Sequence, residues 1–351
     1  MPTAAQPSVR AAPTPAGLRG LVSRYRTPSL PRSLWQLGVS VALFFACCGL
    51  MWLTVGWSYP LTLALAVPAA LFLVRLFVIH HDCGHGSFFR ARWANDWVGR
   101  GLGLLTLTPY DCWRKCHAIH HAHVGKLHRR GDGGDIPSLT VAEYEALPPW
   151  KQLGYRLFRN PVFLFGVFPT VLFVVVHRLP VGVPRSRKKE RASIYWTNLA
   201  LLAGVLGLSW LVGFVTLLLI AAPVVVLASS VGVWLFYVQH QFEEAYWEAG
   251  SAWDFEESSL AGSSYYRLPA VLEWLTASIG IHHIHHLDSA IPNYRLRRCL
   301  DENPQLRGVR QLTLWASLGC VRCKLWDEQK RRMVGFPRKD KARRMPAPPR
   351  P

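Results

Sequence analysis

Charge is scarce in this chain and uneven in sign. Of 351 residues 17% are charged, with 21 Asp and Glu against 40 Lys and Arg, while 50% are hydrophobic. So apolar a balance, laid out in long runs, does not suit a single water-soluble domain and points to helices that cross a bilayer. Cysteines are few and dispersed, at Cys47, Cys48, Cys83, Cys112, Cys116, Cys299, Cys320 and Cys323. Cys320 and Cys323 have the spacing of half a zinc or rubredoxin-type site, but no second CxxC pair completes four thiolates, so a structural or incidental role is expected. Cys47 and Cys48 sit in an apolar run and read as packing residues. The pattern of a secretory leader is missing too: the apolar run starts near Trp35, and no small-residue cleavage site precedes a soluble domain.

What the chain does have is span-length apolar sequence. Runs of about twenty apolar residues, enough to cross the hydrocarbon core, lie at about 36–56 and 61–79, joined by the turn Gly56-Trp-Ser-Tyr-Pro60. A second apolar block has twice the spanning length and carries Gly213 near its middle, so it reads as a hairpin with spans at about 194–214 and 215–238. Two shorter stretches, about 98–109 and 161–177, read as interfacial or re-entrant segments; Pro169 interrupts the second. Residues 1–34 form a basic tail, disordered at its start, residues 35–340 the membrane domain, and residues 341–351 a disordered C-terminal tail. The expected fold is an all-α integral membrane protein, with four transmembrane helices in two hairpins, interfacial helices and a helical cap on the cytoplasmic side.

Lys and Arg identify that side, because cytoplasmic loops are enriched in them. The N-terminal tail holds 5, residues 80–193 hold 17 and residues 239–351 hold 17 of the 40, whereas the two turns on the other side hold none. The remaining one, Arg75, falls inside the second span, where its side chain is expected to snorkel toward the interface. Both chain ends and the intervening loop then face the cytoplasm, a reducing compartment in which no disulfides are expected. The formal net charge of +19 suits contact with anionic lipid headgroups more simply than with nucleic acid.

Histidines are concentrated at the ends of these runs. His81 and His85 are four residues apart; His117, His120 and His121, and again His282, His285 and His286, follow the i, i+3, i+4 spacing. On helices each set shares one face and can aim imidazoles at one point. His240, just beyond an apolar run, makes a ninth donor. Nine imidazoles exceed the needs of one ion and divide sensibly between two, leaving room for water or dioxygen. A non-enzymatic metal carrier would place such ligands near the middle of its spans, whereas here they lie just outside them.

The stretches Ile79-His-His-Asp-Cys-Gly-His-Gly-Ser-Phe-Phe89, Trp113-Arg-Lys-Cys-His-Ala-Ile-His-His121, Tyr237-Val-Gln-His-Gln-Phe-Glu243 and Gly280-Ile-His-His-Ile-His-His-Leu-Asp-Ser-Ala-Ile-Pro-Asn-Tyr-Arg-Leu296 resemble those of membrane fatty acid desaturases of the acyl-lipid type, in particular a bacterial relative of the delta-12/omega-6 group. The similarity covers about residues 35–340. It implies metal ligation by His81, His85, His117, His120, His121, His240, His282, His285 and His286, with His80, His123, His128, His177 and His283 outside the ligand set.

The resemblance also implies two non-haem iron ions, with dioxygen as co-substrate, inserting a cis double bond into a long acyl chain. Imidazole alone does not select iron over zinc or copper; iron rests on the family likeness. An apolar channel between spans and interfacial segments is expected to hold the chain and exclude water. No fused haem domain is expected, so electrons are expected from a separate donor such as ferredoxin or a cytochrome b5-like protein, one acidic enough to be steered by the basic face. A di-iron lipid or carotenoid hydroxylase or ketolase is the nearer alternative, and a metal-binding membrane protein without activity the more distant one. Asp82, Asp111, Asp135, Glu243 and Glu244 are candidates to orient ligand imidazoles, Glu243 first among them.

Overall fold

The computed structural model describes residues 17–337, so the start of the expected N-terminal tail and all of the expected C-terminal one lie outside it. Helix α1 (Gly17–Val22) is short, and its Leu18 and Arg19 amides donate to the Glu256 carboxylate. Val22 and Tyr25 are buried against a cluster containing Ile281, Ile284 and Leu296, so this part of the tail is fastened to the cap.

Helices α2 (Leu30–Thr54) and α3 (Tyr59–His85) form the first hairpin. Each carries a proline in its first turn, where a missing N–H costs nothing. Ala66, Ala69 and Ala70 of α3 are buried, and small residues let neighbouring helices approach closely. Helix α3 stops at Gly86, whose φ of +72° is a left-handed cap that glycine adopts without a Cβ clash. The chain then continues as α4 (Arg92–Leu105), with Asn95, Gly99, Leu102 and Gly103 buried and Trp93 and Trp97 exposed. Helix α5 (Tyr110–His123) packs behind it, the Tyr110 ring filling the space that the missing side chain of Gly99 leaves open.

A glycine-rich loop leads to β1 (Leu139–Thr140) and to α6 (Val141–Glu145), whose start is a reciprocal cap between Thr140 and Glu143. Helix α7 (Pro149–Phe158) is followed by a π-helical turn at Phe163–Val167 and by α8 (Phe168–Val174). The axis bends by 54° between the α7 segment and the one after it. Arg159, at that bend, is completely buried. Its guanidinium donates to the carbonyls of Pro137 and Cys323, the Gln241 side chain and the Tyr237 hydroxyl, which together compensate the burial of a charge.

Helices α9 (Lys188–Val212) and α10 (Phe214–His240) make the second hairpin across Gly213, φ +84°. Among the described residues, α2, α3, α9 and α10 are long and apolar enough to cross a membrane. Leu199, Leu202, Leu206 and Trp210 on α9 are exposed, an apolar face suited to lipid. The chain is therefore an integral membrane protein of four spans in two hairpins. The cap is completed by α11 (Phe255–Ala261), β2 (Tyr265–Arg267), α12 (Ala270–Leu275), α13 (His282–Leu287), α14 (Asn293–Glu302), β3 (Gln311–Thr313), α15 (Leu314–Ser317), β4 (Leu325–Asp327) and β5 (Arg332–Val334). Strands β2 and β3 pair in parallel with Tyr266 opposite Leu312, while β4 lies between β1 and β5.

Arg75 differs from its expected place. It is buried, donates to Ser40 Oγ at 3.0 Å and to the Trp274 carbonyl, and lies 4.3 Å from the Trp274 ring. A guanidinium at this depth takes protein acceptors in preference to a long reach toward water, and it thereby ties α3 to α12 of the cap.

Candidate metal centre

The spans place the first imidazoles, and the cap brings the rest to them. His81 and His85 occupy the last turns of α3, His240 is the final residue of α10, and α5 and α13 lie across these helix ends. The nine histidines form two groups in which the donor atoms lie within 4.8 Å of one another: His81, His85, His117, His121 and His285 in one, and His120, His240, His282 and His286 in the other. Neither set follows a single sequence cluster, because the second and third clusters each contribute to both. The groups adjoin through His121 and His286, whose rings stack with centroids 4.1 Å apart.

Convergence also fixes the topology. Helices α9 and α10 cross between the second and third clusters and bring the chain back to its starting face; one further crossing near residues 161–177 would separate clusters that in fact meet. The bend between α7 and α8 fits that requirement.

Three of the imidazoles have one nitrogen that is held and one to offer. His120 Nδ1 donates to Asp135, His81 Nδ1 lies 3.2 Å from Asp82 Oδ1, and His240 Nδ1 lies 3.3 Å from the Gly262 carbonyl. A proton held on Nδ1 leaves Nε2 with a free lone pair, the tautomer a metal ligand needs. The Nε2 atoms of His117 and His121 are 3.1 Å apart, as are those of His121 and His285 and of His282 and His286. Those of His240 and His282 are 3.0 Å apart, and those of His120 and His286 3.2 Å. Two donors at right angles, each about 2.1 Å from an ion, would stand about 3.0 Å apart.

Two further observations test the fit to metal ions. Nε2 of His81 and His85, which lies among the other donors, is buried without a hydrogen-bond partner. So many lone pairs facing inward, with so few protons to share, leave buried nitrogens unsatisfied unless cations lie between them. Burial, reinforced by neighbouring imidazoles, also holds His117, His121, His282, His285 and His286 well below the usual histidine range, so these rings are neutral donors.

Asp82 is itself held in place. It accepts from the Asn293 amide at 2.7 Å and from its Nδ2 at 2.8 Å, and Asn293 Oδ1 accepts from Gln36 at 2.8 Å. The network joins α2, α3 and the first residue of α14. Asn293 and Gln36 do not stand out in the sequence; the one local hint is that Pro292-Asn293 follows the third histidine cluster and opens a helix. Asp111 turns instead toward Arg100 and Lys189, Glu244 toward Arg310 and Glu243 toward Arg332.

The other histidines have separate partners. His80 Nδ1 is 2.9 Å from the Gly99 carbonyl, His123 is 3.2 Å from Asp132, His177 packs on Phe173 and His283 lies beside Tyr265. His128 is exposed. All eight cysteines are free. Beside His240, a cavity of about 10 Å³, room for one water, has Ile136, Phe236 and Trp247 in its wall. Phe236 also packs against the rings of His120 and His240, so the four-histidine group has an apolar flank.

Comparison with known proteins agrees with this arrangement. The fatty acid desaturase family model matches residues 56–316, which contain all nine histidines. A fatty acid desaturase of Bacillus subtilis is 42% identical over 315 residues, 90% of this chain and 89% of that protein. An sn-1 acyl-lipid omega-3 desaturase (ferredoxin) of Synechocystis sp. is 31% identical over 78% of this chain and 75% of its own length. An sn-1 oleoyl-lipid 12-desaturase of the same organism is 30% identical over 64% of this chain and 63% of its own length. With helices that cross the bilayer, converging histidines and this extent of likeness, the chain belongs to the fatty acid desaturase family and is a membrane oxidoreductase.

Proposed function

We propose that the nine histidines hold two iron ions, five donors on one and four on the other, and that the enzyme uses dioxygen to place a cis double bond in acyl chains of membrane glycerolipids. The observation that carries this reading is the convergence of nine imidazole donor atoms in two adjoining groups. Bound iron would supply the oxidising power that unactivated methylenes demand, which redox-inert zinc cannot. The chain's own residues do the positioning: Asp82, Asp135 and the Gly262 carbonyl fix ring orientation, and Phe236, Ile136 and Trp247 offer an apolar flank from which water is excluded. An acyl chain reaches His240 only when those side chains move, because the present cavity is too small for it.

The relatives' names support the lipid substrate, and one of them supports ferredoxin as the electron donor. The concentration of Lys and Arg on the loops that carry the centre supports a cytoplasmic orientation, in a bacterial inner membrane, with both chain ends on that side. The test is expression in a host that lacks polyunsaturated lipids, followed by mass spectrometry of its fatty acids. The expected product is an acyl chain lighter by two hydrogens, absent with His120→Ala. A chain that gains oxygen instead overturns the desaturation chemistry.

A further inference from the structure

Next to the metal centre the membrane face is indented by a cleft of about 460 Å³, bounded by the end of α3, by α4 and α5, and by the start of α9. Its position is set by the spans: α3 ends and α9 begins at its walls, so it lies at the level of lipid headgroups. Trp93 and Trp97 of α4, both exposed, mark the same level, where indole rings settle. His85, a member of the five-histidine group, is part of its lining.

The lining contains five cations and three carboxylates. Asp96 and Asp111 are engaged by Arg114 and Lys189. Among the described residues Arg90, Arg92 and Lys115 make no ion pair, and Glu190 alone does not balance them. Three unpaired cations in a concave site of headgroup size form a receptor for a phosphate ester, with two guanidiniums able to grip oxygens in pairs. A protein partner docks on a broad surface and has no need of such a recess, whereas a glycerophosphate fits inside one.

We propose that Arg90, Arg92 and Lys115 bind the phosphate of a glycerophospholipid substrate taken from the bilayer, so that the enzyme prefers phospholipids to uncharged glycolipids. The assignment rests on the lipid-substrate reading above. Held there, the headgroup starts the acyl chain beside His85 and thereby fixes how many carbons separate the ester from the reacting methylenes.

The full-length, iron-loaded enzyme would be compared with the triple variant Arg90→Gln, Arg92→Gln, Lys115→Gln on vesicles of phosphatidylglycerol and of monogalactosyldiacylglycerol carrying the same acyl chains. For phosphatidylglycerol KM is expected to rise about tenfold with kcat within twofold, while the galactolipid is unaffected. Iron content equal to that of the unaltered enzyme shows that the variant is folded. Quenching of tryptophan fluorescence gives a readout without turnover: dihexanoyl-phosphatidylglycerol should saturate the unaltered protein at much lower concentration than the variant, and inorganic phosphate or an acyl-coenzyme A should compete weakly.

Equal loss on both lipids, unchanged constants in the variant, or tighter capture of the coenzyme A thioester overturns the assignment. So does a variant whose only defect is a weaker dependence on ferredoxin concentration, which would make the cleft a docking place for an acidic protein. An unaltered enzyme that converts neither lipid refutes the lipid-substrate reading itself.

Discussion

At the scale of single residues, the centre depends on which nitrogen of each ring carries the proton. Asp135 settles this for His120, and Asp135→Asn keeps the shape while removing the charge that favours an Nδ1 proton. Iron affinity and turnover are expected to fall by about 10- to 100-fold, read by metal content and product yield. Glu243→Gln should leave both within about twofold, since this carboxylate is paired with Arg332 on the surface. Spacing in the sequence favours Glu243 because it lies three residues beyond His240. That inference holds only if the helix continues, and α10 ends at His240, so the chain turns Glu243 outward. Asp135 lies fifteen residues past His120 with glycines between, a separation from which no periodicity argument recovers a contact. Eight of the nine histidines that converge were legible for the opposite reason, because within each cluster they share a helix face, and His240 was legible from its place just beyond an apolar run.

At the scale of elements, the loop after α5 is shaped to lie against that helix. Gly133 has φ +72°, and a Cβ there would come within 2.3 Å of the His120 backbone nitrogen and 2.6 Å of the Cys116 carbonyl. Neither atom can yield, because both belong to the helix that carries the second cluster. Gly133→Ala is expected to push the loop, and Asp135 with it, away from His120, with a loss of bound iron at least as large as that of Asp135→Asn and a lower Tm in detergent. The four long helices follow from apolar run length alone, though α2 begins at Leu30, whereas the sequence suggests about 36. Its first turn was hard to read because Pro31, Arg32 and Ser33 are polar or helix-averse in isolation. Ser33 is nonetheless buried, donating to the Phe88 carbonyl, so tertiary contact outweighs local preference there.

At the scale of the whole molecule, the proposed metal centre is also the joint between two bodies that differ in solvent. The spans α3 and α10 bring three of the imidazoles, and the cap helices α5 and α13 bring six. Ions bound only when the four helices meet stabilise the meeting itself. Removing iron with a chelator should therefore leave the helical content of the spans intact while residues 282–313 become open to protease, checked by circular dichroism and limited digestion. If digestion is unchanged after iron is stripped, the cap is held by its own packing.

One asymmetry in the centre has a further consequence. In the five-histidine group His85 and His121 retain some exposure, and His85 lines the headgroup-level cleft, whereas every member of the four-histidine group is buried. Exchange with the surroundings should then run on two clocks: one equivalent of iron departing quickly through an open door, the other leaving only when the fold breathes. With two irons bound as proposed, a cell short of iron would accumulate half-loaded enzyme, inert yet intact, needing a single ion to resume turnover.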